Sequence, residues 1–162
     1  MVPAMNAHEQ LITRFYEAFS RRDAATMASC YAPDARFSDP VFPALQGSAI
    51  IDMWTMLTGA LREASITFSN VRADEQGGSA HWEARYLYSA TGRRVHNIIE
   101  ARFTFADGRF ATHRDQFDLW RWSRQALGPV GLLLGWSPIV RNKVQATAAQ
   151  RLADYRARQQ RA

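Results

Sequence analysis

A histidine and an aspartate two residues apart, His113 and Asp115, are the side chains in this sequence best placed to do chemistry. They fall in Arg-Phe-Ala-Thr-His-Arg-Asp-Gln-Phe-Asp-Leu-Trp-Arg-Trp, residues 109–122. The turn dipeptides Thr91-Gly92 and Asp107-Gly108 mark this segment as the last strand of an antiparallel meander. Side chains alternate faces along a strand, so His113, Asp115, Phe117 and Leu119 share one face, and Arg114, Gln116 and Asp118 share the other. A titratable pair is thereby set among apolar residues, where burial is costly unless the groups are paired, hydrated or used. The carboxylate can fix the imidazole tautomer so that the histidine gives or takes a proton. A buried pair linking sheet to helix would use the same residues. A metal would need a third ligand, which Asp39 could supply, but no spacing signature supports a metal site and none is expected.

The aromatic residues Phe15, Trp54, Trp82 and Tyr86 either line a pocket for an apolar, ring-like ligand or form plain core. Asn97 is more pointed, because an amide alternating with Ile99, Ala101 and Phe103 needs a partner inside.

The elements that must hold these residues divide the chain in two. In the first half, Leu11, Ile12, Phe15, Tyr16 and Phe19 recur at helical spacing behind an Asn6 cap with Glu9 three residues on. Asp23 caps a short second helix carrying Met27, Cys30 and Tyr31, stopped by Pro33. A short strand over 35–39 ends at Pro40. A third helix from about Ser48 places Ile50, Ile51, Trp54, Leu57 and Leu61 on one side. The period then changes, and residues 64–73, 79–89, 93–106 and 109–122 read as strands with glycine-bearing turns. Residues 123–137 read as a loop rich in glycine and leucine. Its Leu132, Leu133 and Leu134 are expected to fold back as a lid, plug a cavity or join an interface. Pro138 opens a last helix to about Arg158.

The 162 residues suit one domain with its own core, and 47% apolar against 22% charged residues argues against disorder. The single cysteine, Cys30, excludes an internal disulfide framework and suits a reducing cytoplasm. The amino terminus lacks the pattern of a secretory signal, and no apolar run reaches the length of a membrane span, so a cytoplasmic protein is expected. The net charge of +5 is concentrated in Arg141, Lys143, Arg151, Arg156, Arg158 and Arg161. No aromatics interleave these arginines for base stacking, which favours a solvated helix face over nucleic acid binding.

Helices enclosing a short strand, followed by a long antiparallel meander, resemble the nuclear transport factor two-like superfamily, and within it the SnoaL-like and ketosteroid isomerase-like group. Arg14-Phe15-Tyr16-Glu17-Ala18-Phe19 with Arg22-Asp23 is similar to the family's first helix and turn, and Phe37-Ser38-Asp39-Pro40-Val41 to the segment carrying the isomerases' general base. The resemblance implies an α+β cone, a curved antiparallel sheet wrapped around the N-terminal helices, spanning about 7–122. The segment 123–162, with its C-terminal helix, would be an extension of that single domain. It implies an apolar cavity for a small molecule, a homodimer packed through sheet faces, and no obligatory cofactor. Asp39 would take the base position, and the late-strand His113 and Asp115 the place of the acid or base in cyclase-type members. The implied reactions are proton transfer beside a carbonyl, as in an isomerase or cyclase, or water addition to an epoxide. Two departures stand out. The isomerases' oxyanion tyrosine falls on Phe15, and their second oxyanion acid falls on Ala101, or on outward Glu100 if the register slips by one. Without these donors steroid isomerisation is not expected, and a non-catalytic binding module or a dimeric adaptor stands as the alternative.

Overall fold

Asn6 opens the first helix. Its side chain accepts from the Glu9 amide (2.9 Å) while the Glu9 carboxylate accepts from the Asn6 amide (3.2 Å), the expected capping box. The structure, a computed structural model, describes residues 3–61 and 63–162. Helix α1 (Ala7–Ser20) buries Leu11, Ile12, Phe15, Tyr16 and Phe19 in the core. Asp23 caps α2 (Ala24–Ser29) through the Thr26 amide. Then come β1 (Tyr31–Ser38), a two-residue β2 (Leu45–Gln46) and α3 (Ser48–Ala60). The meander is β3 (Ser65–Ala73), β4 (Gly78–Tyr88), β5 (Arg93–Ala106) and β6 (Arg109–Gln116), and the chain ends in α4 (Leu119–Leu127), α5 (Pro129–Leu134) and α6 (Pro138–Arg161).

The strands form one six-stranded sheet in the order β2-β1-β6-β5-β4-β3, curved and unclosed. Neighbours are antiparallel except β1 and β6, which run parallel with Phe37 beside His113. The fold is thus the expected α+β architecture of N-terminal helices held in a curved sheet, with an added C-terminal helix. Strand alternation sends Trp82, Ala84, Ile99, Ala101, Phe103, Phe110 and His113 inward to meet α1 and α3. Helix α6 lies along α3, where Arg156 pairs with Asp52 (3.0 Å), and it puts Leu152 into the core.

Three local expectations change. The last strand stops at Gln116 because the Asp118 side chain accepts from the Arg121 amide and starts a helix. Leu119 is therefore not on the inner sheet face, Asp118 is not on the outer one, and Trp122 is not part of the strand. Trp122 instead packs on Val95 and Tyr88 in a second small core. Residues 123–137 are mostly helical rather than a loop. Gly131 and Gly135 form a face so slim that a Cβ on Gly131 would sit 1.8 Å from the Ser123 carbonyl oxygen, so α5 can lie flush on α4. The leucines of α5 consequently face outward, and they neither plug the cone nor close over it. Finally, Tyr31 belongs to β1 and not to α2. Pro33 is exposed where the β1–β6 register shifts between Tyr31 and Arg36, a place where a missing backbone donor is tolerated.

Candidate functional site

His113 points into the cone from β6 and its side chain is fully buried. Nε2 lies 2.9 Å from Asp115 Oδ1, and Nδ1 lies 2.7 Å from the Tyr31 hydroxyl. The Tyr31 oxygen accepts from Trp54 Nε1–H (2.9 Å), and Asp115 Oδ1 accepts from Trp82 Nε1–H (3.3 Å). One assignment of protons satisfies every group. Trp54 donates to Tyr31, Tyr31 donates to His113 Nδ1, and the imidazole Nε2–H donates to Asp115 Oδ1. The result is a directional relay from α3 through β1 to β6, ending on a carboxylate. Burial drives the Tyr31 hydroxyl well above the ordinary phenol range, so it remains a donor.

Around the relay the interior is filled with rings. Phe15 meets His113 edge-on at 5.7 Å and packs likewise on Tyr31, Trp54 and Phe110, while Phe37 and Phe103 close the other sides of the imidazole. Phe15, Trp54 and Trp82 are thus gathered about His113 and Asp115. Tyr86 is not; its hydroxyl accepts from Trp122 Nε1–H (2.7 Å), and burial pushes it up to about 12. Asn97 is half-buried on β5 beside Ala84, away from the relay.

Asp39 stands just past the end of β1, at the turn leading away from the cone. Its Oδ1 accepts from the Val41 and Phe42 amides, the turn role that an Asp-Pro pair suggests. Burial nonetheless raises its carboxyl from 3.8 to about 7, with the charge of Asp115 adding to the shift and the two amides opposing it. Among the described residues no partner holds Oδ2. Beside this turn Pro40, Phe117, Trp120, Trp136, Arg141 and Gln145 border a half-open cleft of about 500 Å³. Gln145 Nε2 donates to the Pro40 carbonyl (3.0 Å), tying α6 to the turn.

Two interior hydroxyls have no counterpart in the sequence-derived set. Tyr31 was hidden by its placement in α2, and the register shift between Tyr31 and Arg36 breaks the alternation that would otherwise lead back to it from Phe37. Tyr16 follows Phe15 directly, and its buried hydroxyl has no hydrogen-bond partner among the described residues. Desolvation first, then the charge of Asp115, raises its pKa well above the phenol range. An interior hydroxyl is therefore present one residue beyond Phe15. The position of the missing oxyanion acid, Ala101, lies directly across from Asp115 on β6. Glu100 does not serve, because it points outward and bonds His81.

The family model described as SnoaL-like domain matches residues 12–113. No curated protein sequence matches. Among solved structures, an LEH-like epoxide hydrolase of M. tuberculosis is 19% identical with a TM-score of 0.65, covering 82% of this chain and 98% of its own. A protein provisionally assigned as a SnoaL-like polyketide cyclase, from Jannaschia, is 15% identical with a TM-score of 0.68, covering 80% and 97%. An NTF2-like protein of unknown function from Burkholderia pseudomallei is 21% identical with a TM-score of 0.61, covering 70% and 92%. At these identities the structural likeness establishes the fold.

Proposed function

The chain belongs to the SnoaL-like domain family, and on that premise we propose that it binds a small, mostly apolar molecule at the mouth of its cone and moves a proton on it, as an isomerase or cyclase does. The carrying observation is Asp39. A carboxyl raised to about 7, with one oxygen held by backbone amides and the other without a partner among the described residues, is poised as a general base near neutral pH. The adjoining cleft offers Phe117, Trp120 and Trp136 as apolar wall. Tyr16 supplies an unpaired interior donor for a developing negative oxygen, and His113 with Asp115 and Tyr31 supplies a fixed polar network in the same interior. Access to Tyr16 and His113 requires the rings about Phe15 to part on binding.

A base beside a carbonyl exchanges the α-protons of a bound ketone with solvent even when the full reaction is not completed. The test is deuterium exchange into a panel of cyclic ketones in D2O, followed by proton NMR. Wild-type protein should accelerate exchange with a rate rising through about pH 7, and Asp39→Asn should lose about 10²–10⁴-fold. Equal exchange by the variant would remove Asp39 from the base role.

The filled interior favours a second reading, a binding module in which the relay is structural. In that case Tyr16→Phe leaves ligand affinity unchanged and raises stability, because it deletes an unsatisfied buried group worth about 1–3 kcal/mol.

A further inference from the structure

Helix α5 inverts the usual amphipathic arrangement. Its buried face is glycine, with Gly131 against the backbone of α4 and Gly135, the cap at its end, against the side chains of Ser123 and Trp120, and its large side chains are turned to solvent. Val130, Leu132, Leu133, Leu134, Trp136 and Ile139 are all exposed, with Leu133 at 68%, Trp136 at 63% and Ile139 at 73%. A contiguous apolar face of this kind is a mark of an interaction surface. The glycines make it a built feature, since no residue with a Cβ at Gly131 would let α5 settle with that face outward.

The charge around the face identifies its partner. Between Asp118 and Asp154 the sequence has no acidic residue, whereas Arg121, Arg124, Arg141, Lys143 and Arg151 all lie there. A cleft lined by Arg93, Arg94, Arg121 and Arg124 adjoins the root of α5. Arg93 donates to the Gln125 carbonyl and Arg121 to the His96 carbonyl, contacts that position the guanidiniums without neutralising them; among the described residues only Arg94 of the four has an acidic partner, Glu63. The cleft and the apolar face are joined physically. The Arg93 guanidinium lies against Gly128, a Cβ there falling 3.1 Å from it, and Arg124 stacks over Trp120, whose Nε1–H donates to the Leu132 carbonyl.

We propose that α5 and the first turn of α6 dock the protein on an anionic phospholipid bilayer, the leucines, Trp136 and Ile139 entering the interface while the arginine cleft receives headgroup phosphates. Tryptophan and aliphatic side chains beside lysine and arginine are the composition such a surface selects. A second copy of the chain fits poorly, because two-fold pairing through this face would set Arg124, Arg141 and Lys143 against their own equivalents. Aliphatic side chains likewise offer no stacking platform for nucleic acid bases. Among the described residues no helix is long and apolar enough to cross a membrane.

Co-sedimentation of the full chain with phosphatidylcholine vesicles and with mixed phosphatidylcholine–phosphatidylglycerol vesicles tests this. The protein should pellet with the anionic vesicles, weaken steeply as salt rises, and bind the neutral ones at least about tenfold less. Leu133→Ser with Ile139→Ser, and separately Arg124→Gln with Lys143→Gln, should each lower anionic-vesicle binding by roughly tenfold or more. All four side chains are exposed, so circular dichroism should register an unchanged fold. Failure to bind either vesicle, binding indifferent to both pairs of substitutions, or equal binding to neutral vesicles would overturn the proposal. So would a wild-type dimer that Leu133→Ser with Ile139→Ser converts to monomer while vesicles go unbound, which would make the face a subunit interface.

Discussion

At the scale of single residues, Asp39 ties the candidate chemistry to stability. Its carboxyl is held at about 7 in the fold against 3.8 for the ordinary group, so the folded state keeps a proton that the unfolded chain has released. Stability from this group is complete below about pH 3.8 and is lost as pH rises through about 7. Asp39→Asn removes that slope. The side-chain oxygen still accepts from the Val41 and Phe42 amides, so the variant should be more stable than the wild type above pH 7 by on the order of 2–4 kcal/mol, and nearly equal to it near pH 4. Urea denaturation at both values measures this, and a wild-type advantage at pH 8 would contradict the assigned burial cost. Asp39, His113 and Asp115 were legible in the sequence because proline, strand alternation and family likeness each leave a local mark. The relay was not, since Tyr31 and Trp54 reach His113 from β1 and α3, and nothing local in the sequence encodes a contact between elements so far apart. Tyr16 was visible only as a core aromatic; its hydroxyl became notable once the interior was seen to offer it no partner.

At the scale of elements, the helices that follow β6 show what periodicity misses. Residues 109–122 alternate well enough to pass for one long strand, and the outcome is decided by a single cap, Asp118 on the Arg121 amide. The glycines of 128–135 look like loop signals, yet Gly131 and Gly135 are there for the close approach of two helices. These roles differ in kind and so do their expected costs. Asp118→Ala should lose about 1 kcal/mol, the worth of an N-cap. Gly131→Ala cannot be accommodated by a side-chain movement, because its Cβ would meet the Ser123 backbone, and it should cost about 1–3 kcal/mol or more. Thermal unfolding of the two variants should therefore rank Gly131→Ala below Asp118→Ala. The reverse order would mean that α5 lifts from α4 without strain. The first half needed no such correction at its helix starts, where Asn6 and Asp23 cap as their spacing implies.

At the scale of the whole molecule, the sheet separates two kinds of polar network, one buried among rings and one on its outer face. The order of helices and strands was enough to read the cone, because topology survives where side chains diverge. That its interior is filled follows from how rings from α1, β1, α3, β5 and β6 interlock, which no single segment carries. On the outer face His81 of β4 is bonded by both Glu83 and Glu100, and Glu83 also accepts from His96 (2.6 Å) and lies 3.7 Å from Arg85. Glu100 first and Glu83 second raise the pKa of His81, while His81 and then His96 lower that of Glu83. The histidine's contribution is thus complete below about pH 6.5 and is lost as pH rises through its raised value. The glutamate's is complete above about 4.5 and is lost as pH falls through its lowered value. Both are present only between those limits. In the wild type the Asp39 slope overlaps this window, so the comparison belongs in the Asp39→Asn background. There, stability should hold level from about pH 5 to 6.5 and then decline, and adding His81→Gln should flatten the decline above 6.5. A decline that persists undiminished in the double variant would place the remaining pH sensitivity elsewhere in the molecule and remove His81 as its source.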